Sequence, residues 1–537
     1  MILATKTRCT LLDSFFFFLL YYLLSTRLLI STLSVWHTAT NPSIVGRWEI
    51  SVPVPLVPVA AAVLGRTGEV LLWAADNSGS FGTQNRTASA IYNPQTRLGS
   101  GKIISETGHN MFCPGLSLDV SGDVMVTGGS TSNHTSIYRS ASLSWEAVAG
   151  MTVGRGYHAQ ATLSDGKIFT IGGSWSGGVK EKNGEIFDPQ TRAWVPLPGC
   201  RVEPLLTADG RGTFAADNHA WLFAWKNGSV FQAGPSTAMN WYDAGGADAL
   251  GRQAPAFSRG QNNDAMNGNA VMYDANRGKI LTLGGAPSYD HSPARSAAYE
   301  VTISDPFRTV IVEELEPMYT PRTYANSVVL PTGDVFVNGG ASYALQWTDA
   351  NATWYPELWS AKTRKFTRLA RMTVPRTYHS VAVLLPDATV LTGGGGLCWE
   401  PCEEIPQWEI ESDHFDVQVF LPPYLFKTDG KTFATRPRIV GELKKEVKLG
   451  DRLMVRTDMD VTQFDMVRYG SSTHSINTDQ RRVVLKSLPR ERSGELGWSY
   501  DVKIPSDPGV VVPGYWMLFA TSSKGVPSVA KTLLLHV

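Results

Sequence analysis

Seven times along this 537-residue chain, a turn carrying Gly or Asp leads into a short apolar or β-branched run that ends in small residues. The runs are Val70-Leu71-Leu72-Trp73, Val124 to Gly129, Ile168 to Gly173, Val230 to Gly234, Ile280 to Gly285, Val335 to Gly340 and Val390 to Gly394. They lie about 45–60 residues apart, the interval of one four-stranded blade with inserts, so seven units predict a seven-bladed β-propeller. Most runs end in Gly-Gly; the first ends in Ala74-Ala75 and the fourth in Ala233-Gly234. Such endings predict bends where backbone crowds backbone without side chains between. Composition agrees: 50 Gly, 31 Pro and only 18% charged residues describe turn-rich β structure. Trp145, Trp194, Trp359 and Phe366 fall on outer strands of the repeats, where they are expected to pack the blades.

The repetition stops after Asp416-Val417-Gln418-Val419-Phe420, and Pro422-Pro423 and Thr435-Arg436-Pro437 punctuate the passage to a different pattern. From about Arg438, short alternating strands (Val447 to Leu449, Arg452 to Thr457, Asp465 to Tyr469, Val483 to Leu485) predict an antiparallel sandwich of about 100 residues. The expected fold class is all-β. A seven-bladed, kelch-type β-propeller spans 43–430, and an immunoglobulin-like β-sandwich domain follows over 436–537.

Residues 1–39 read differently. Lys6 and Arg8 precede an apolar run from Leu11 to Leu24, broken by Asp13 and ended near Arg27. It is shorter than the about 20 residues of a membrane span and fits a secretory signal, with small residues near Thr38-Ala39 available for cleavage. The renewed run Leu28-Leu29-Ile30 keeps an uncleaved anchor as the alternative. Sequons at Asn85, Asn133, Asn227 and Asn351 agree with a secreted, extracellular glycoprotein. A formal net charge of +0 favours neither nucleic acid nor an anionic membrane as partner. Of the 5 cysteines, Cys9 lies in the signal segment, while Cys398 and Cys402 are close enough to form a disulfide around a small loop. On spacing alone, Cys113 and Cys200 each read as buried and inert.

Five stretches carry an unusual set of side chains. They are Cys113 in Phe-Cys-Pro-Gly, Tyr157 in Gly-Arg-Gly-Tyr-His, Trp175 in Gly-Gly-Ser-Trp-Ser-Gly-Gly, the pair Tyr378-His379, and His474 in Ser-Thr-His-Ser-Ile-Asn-Thr-Asp-Gln. Two imidazoles and two phenols form a donor set that suits tetragonal Cu(II) better than zinc or iron. A thiol and an indole beside them point to redox chemistry on the protein itself. In this order the stretches resemble the active site of galactose oxidase and its relatives, the copper-radical alcohol oxidases. The resemblance runs from about Gly46 to Val537 and takes in Asp217-Asn218-His219-Ala220-Trp221 and Gly514-Tyr515-Trp516-Met517-Leu518.

The resemblance implies one copper ion held by Tyr157, Tyr378, His379 and His474, with solvent or substrate in the remaining position. It gives Cys113 a thioether bond to an ortho carbon of Tyr157, which reverses the inert reading of that cysteine and leaves Cys200 inert. A stacked Trp175 indole and the sulfur would make a persistent tyrosyl radical accessible, so that copper and Tyr157 each supply one electron equivalent. In the implied cycle Tyr378 takes the proton of a primary alcohol as general base. The Tyr157 radical then removes hydrogen from the carbinol carbon, and dioxygen restores the site and leaves as hydrogen peroxide. No dinucleotide-type Gly-rich loop precedes a helix in the sequence, in keeping with this chemistry. His109, His158 and His219 lie in or beside the matching stretches as hydrogen-bonding histidines, and strand alternation points His158 away from Tyr157. Because His474 belongs to the C-terminal domain, that domain must reach into the propeller. The chain begins too close to the first blade to hold the N-terminal sugar-binding sandwich of galactose oxidase.

Aligned through the same motifs, Phe81, Trp175 and Tyr289 match aromatic residues of the galactose pocket. Ala215 takes the place of an arginine that holds sugar hydroxyls, Asp290 that of a glutamine, Trp347 and Tyr324 those of phenylalanines, and Gln346 that of a proline. Losing the guanidinium removes charge-assisted hydrogen bonds worth about 1.5–3 kcal/mol each. The expected substrate is an aryl or aliphatic primary alcohol, oxidised to the aldehyde by a secreted monomer with O2 as co-substrate and a peroxidase as redox activator. Two alternatives stand beside it. One is the same chemistry on galactose, oligosaccharides or glyoxal-type aldehydes, with Asp290 and Gln346 rebuilding the contacts. The other is a kelch binding module with a decayed site, against which the complete set of Cys113, Tyr157, Tyr378, His379 and His474 speaks.

Overall fold

The structure, a computed structural model, describes residues 40–75, 85–178, 181–245, 250–260, 264–398, 412–488 and 497–536. The expected signal segment, Phe81 and Cys402 lie outside these residues. Each of the seven repeats forms the second strand of a blade. The first strands, in ring order, are Ala60–Val63, Gly115–Leu118, Ala159–Thr162, Leu222–Ala224, Asn269–Asp274, Thr323–Val329 and Ser380–Leu384. Neighbouring blades cover both faces of the repeat strands, so Val335–Ala341 and Val390–Gly394 are buried along their whole length. That is why these strands read as continuous apolar runs rather than alternating ones.

The Gly-Gly endings crowd the next blade. Gly339 has φ 66°, and a Cβ there would stand 2.1 Å from the Arg376 carbonyl oxygen of the following blade. Only glycine meets both conditions. Three blades share a further device. Arg155, Arg322 and Arg376 each donate to the carbonyl of a bend glycine, Gly172, Gly339 and Gly394 respectively, at 2.9–3.1 Å. Each also pairs with an acid on the third strand of its own blade: Glu185 at 2.9 Å, Glu357 at 2.6 Å and Asp416 at 2.6 Å.

The chain's first described strand closes the ring. Arg47–Trp48 adds to the outer edge of the blade holding Asp416–Leu421, with Trp48 opposite Phe420. The indole lies 4.9 Å from the Phe420 ring and donates from Nε1 to the Ala370 carbonyl at 2.9 Å. Trp194, Trp359 and Phe366 are buried between blades and Trp145 packs at the edge of the same core, as expected of them.

The C-terminal eight-stranded sheet curls on itself through Arg482–Leu488. Residues 482–485 of that strand pair with Gln463–Arg468, and residues 486–488 pair with Trp498–Lys503. Pairing is antiparallel apart from Glu446–Lys448 with Lys531–His536, which run parallel. Its apolar interior, including Phe464, Trp516 and Leu533, is continuous with Trp221, Phe223 and Trp241 of the fourth blade. From this domain a finger enters the propeller: Ser471–Thr473 pairs with Ala60–Val63, adding a strand inside the first blade. The finger is then clamped blade by blade. Asp479 accepts from Leu118 N at 2.9 Å, Gln480 accepts from Val329 N at 3.0 Å, and Asn269 Nδ2 donates to Ser475 O at 2.9 Å. No helix among the described residues is long and apolar enough to cross a membrane.

Candidate metal centre

Two site phenols come from one repeat position. In Arg155-Gly-Tyr157, Arg322-Thr-Tyr324 and Arg376-Thr-Tyr378, the buried arginine fixes the strand entrance and the tyrosine two residues on turns inward. Tyr378 Oη donates to Tyr157 Oη at 3.1 Å. Tyr289 Oη lies 2.9 Å from Tyr378 Oη, and His219 Nε2 lies 3.1 Å from Tyr289 Oη. The Tyr324 hydroxyl is spent on the Tyr289 carbonyl at 2.5 Å. Tyr289 and Tyr324 are both buried, and their rings pack edge-on against Tyr378 at 6.1 and 5.0 Å.

The two imidazoles are oriented by their Nδ1 atoms. His379 Nδ1 lies 2.6 Å from Gly396 O, which only accepts, so the proton sits on Nδ1. Thr473 Oγ1 donates to Val59 O at 3.0 Å and therefore accepts from His474 Nδ1 at 2.7 Å. Both rings are left with an Nε2 lone pair. Among the described residues His474 Nε2 is buried with no hydrogen-bond partner, and Cys113 Sγ stands 4.0 Å from His379 Nε2. Ligand atoms of Cys113, His379 and His474 lie within 4.8 Å of one another. The His379 and His474 rings are 4.7 Å apart, and Tyr157 is 5.0 Å from His474.

Burial sets the protonation states. It holds His379 and His219 down to about 3 and His474 well below the ordinary imidazole value, while pushing the Tyr157 and Tyr378 phenols and the Cys113 thiol upward. A cluster of neutral imidazoles and phenols with an orphaned, inward-facing nitrogen fits a single metal ion, whose charge would offset that burial. The donors match copper better than calcium or magnesium, which take oxygen alone. Tyr157 N donates to Cys113 O at 2.9 Å, and the two side chains touch.

Other candidates fall into place or are corrected. Trp175 does not stack on Tyr157: the rings meet edge-on at 62° with centroids 5.4 Å apart, and the indole lies parallel to Tyr289 instead. Glycines 172, 173, 177 and 178, which flank Trp175, all have positive φ. Trp347 covers Tyr378 and His379, each at 4.9 Å. Ala215 is wholly buried, so its methyl faces core rather than an open cleft. Gln346 is buried too. Asp290 is not free for substrate, since it holds Arg211 and, at 3.1 Å, His291. His158 bonds Thr127 at 2.8 Å, away from the cluster, and His109 bonds Ser136 and Gly128. Cys200 is buried against the Asp243 carbonyl, and Cys398 is disulfide-bonded while its expected partner Cys402 lies outside the described residues. Sequence reasoning missed Arg211. The signal was present: a cation in the same turn as Ala215, four positions before it.

A propeller whose centre receives an imidazole from a second domain, beside two phenols and a thiol, defines a protein built around one buried redox-capable metal. Comparison with known proteins agrees. Residues 87–398 match the family model for the glyoxal oxidase N-terminus, and residues 436–535 match the galactose oxidase-like early set domain. The chain is 44% identical over 501 residues to the galactose oxidase of Gibberella zeae, covering 93% of this chain and 71% of that one. Over 456 residues it is 27% identical to aldehyde oxidase GLOX1 of Arabidopsis thaliana, covering 78% and 70%. A solved structure of a fungal alcohol oxidase of the AA5 family, in complex with copper, superposes with a TM-score of 0.85 at 42% identity, covering 92% of this chain and 100% of that one. The chain belongs to the family of galactose oxidase and glyoxal oxidase.

Proposed function

We propose that this protein is a copper-radical oxidase that converts primary alcohols to aldehydes and reduces O2 to hydrogen peroxide, acting outside the cell as a monomer. The observation that carries the reading is the convergence of His379 Nε2 and His474 Nε2 with the Tyr157 and Tyr378 hydroxyls and the Cys113 thiol in one buried spot. Copper held by the two imidazoles and two phenols would supply a Lewis acid and one electron of redox capacity.

The chain's own groups do the rest. Tyr378 Oη, bonded to both Tyr157 and Tyr289, is placed to receive the alcohol proton, and the Tyr289–His219 pair holds its ring in line. Cys113 is in contact with Tyr157 for a thioether: a C–S bond forms at an ortho carbon, the thiol and the ring each lose one hydrogen, and dioxygen is the acceptor. The sulfur would spread an unpaired electron beyond the Tyr157 ring, and the Trp175 indole, 5.4 Å away and edge-on, shields that ring. Trp347 and the neighbouring aromatic side chains keep water from the reacting carbon. Aryl and aliphatic alcohols suit this apolar lining. Export rests on the character of residues 1–39 and the four sequons, and a peroxidase acting as oxidant would keep the site in its active form.

The test is peroxide release by copper-loaded protein offered benzyl alcohol, butanol, galactose, raffinose and methylglyoxal, with intact mass of the same sample. We expect turnover of benzyl alcohol above galactose and a mass lower by two hydrogens. His474→Ala should abolish both turnover and tight copper binding while the propeller stays folded. Peroxide release undiminished in that variant defeats the ligand assignment.

A further inference from the structure

One guanidinium stands at the entrance of the centre that no expected role accounts for. Arg211 lies in the turn before Gly212–Phe214, about one-third exposed, with its guanidinium carbon 5.6 Å from the centre of the Trp175 ring. Trp175 in turn meets Tyr157 edge-on at 5.4 Å, so a single indole separates the cation from the reacting phenol. Arg211 is held there on purpose-built supports. Its Nη2 pairs with Asp290 Oδ2, and the Asp290 side chain is only 4% exposed. The other Asp290 oxygen accepts from His291 N at 2.9 Å. Asp209 ties the two segments together, accepting from Arg211 N through Oδ1 and from Tyr289 N through Oδ2.

The nearby exposed surface is aromatic: Trp175 is 39% exposed and Phe214 is 50% exposed. Beyond the Asp290 pair, the remaining N–H donors of Arg211 meet no acceptor among the described residues. An arginine carries five donors in a fixed planar fork, so most of this fork is available to a ligand.

We propose that Arg211 is the specificity-determining residue of this site, and that the Arg211–Asp290 pair selects alcohols bearing an uncharged oxygen acceptor (an ester, ether or second hydroxyl) beyond an aromatic or apolar spacer. The proposal rests on the alcohol-oxidase reading above and names the substrate class within it. The buried Asp290 carboxylate cancels the guanidinium charge, so a substrate carboxylate gains nothing at the mouth and loses its hydration. A neutral oxygen accepts the free fork without that cost. The guanidinium thus arrives from Arg211, although Ala215 offers none. Asp290 is a positioning residue: it aims the fork and sets its net charge.

The experiment is isothermal titration of the metal-free protein, and of the copper-loaded protein, with benzyl alcohol, methyl 4-(hydroxymethyl)benzoate and 4-(hydroxymethyl)benzoate. In the wild type the methyl ester should bind about tenfold more tightly than benzyl alcohol, the scale of one hydrogen bond to a charged donor. R211Q should erase that preference. D290N, which leaves the cation uncancelled, should make the carboxylate the tightest ligand of the three, again by about tenfold. A wild-type order retained in R211Q overturns the proposal, as does a D290N protein that still rejects the carboxylate. Binding that follows these rules without any peroxide release would defeat the oxidase reading alone. Peroxide release with a substrate order indifferent to both substitutions would defeat this inference alone.

Discussion

Cys113, Tyr157, His379 and His474 all sit in left-handed backbone, at φ 58°, 65°, 67° and 48°. Non-glycine residues held there cost about 1–3 kcal/mol each, so the surrounding fold over-determines four of the five residues whose side chains meet at the centre, Tyr378 being the exception. Residue identity was legible in the sequence because each lies in a distinctive short motif, whereas this backbone geometry was not, since no local pattern announces it. Arg211 shows the opposite limit: Ala215 announces a missing guanidinium, while the cation four residues earlier is held by an aspartate 79 positions away that no local pattern connects to it. Gly396 shows how tightly the ligand shell is set. It has φ 91°, its carbonyl accepts the hydrogen bond from His379 Nδ1–H, and a Cβ there would lie 2.3 Å from Ser412 O. Gly396→Ala should lower stability by about 1–3 kcal/mol and weaken copper binding by rotating His379, which urea titration and copper titration would read together.

Among the elements, the repeated arginine does most to place the chemistry. Arg155 and Arg376 fix the strand entrances from which Tyr157 and Tyr378 project, and each has its acid partner on the third strand of the same blade. The Arg-x-Tyr recurrence can be read along the chain, but partners 30 and 40 residues away become visible only once the blades are folded. The same limit explains Trp175. Its glycine-flanked turn marked it as special, yet whether the indole stacks or meets the phenol edge-on depends on Tyr289, which arrives from another blade. Glu185 also accepts from Thr152 N and Val153 N, so it anchors the entrance twice. Glu185→Ala leaves the Arg155 charge buried and unpaired, which should cost about 3–5 kcal/mol and loosen Tyr157. Replacing the pair together, Arg155→Met with Glu185→Leu, removes the unpaired charge but leaves Thr152 N and Val153 N without their acceptor, so a chemical-denaturation series should show only part of the loss recovered.

Across the whole molecule the seven-fold repeat announced the ring, and its number of blades was fixed by counting apolar runs. Closure was not legible: Arg47–Trp48 is two residues long and carries no repeat signal, yet it completes the blade of Asp416–Leu421. Nor did any pattern show how the C-terminal domain would deliver His474, namely as the tip of a strand laid inside the first blade. Because the centre takes ligands from both domains, copper should stabilise them jointly. At a thousandfold excess over its dissociation constant the gain is about 4 kcal/mol, and scanning calorimetry should show one cooperative transition moving upward rather than two separating. The finger has a further consequence for how the protein is made. Ribosomes deliver the edge of Ala60–Val63 early and its partner Ser471–Thr473 some 400 residues later. A chain that has passed His379 but not reached His474 therefore carries three of the four metal donors and cannot close the centre, so the reactive ion can be held only once the C-terminal finger has been made.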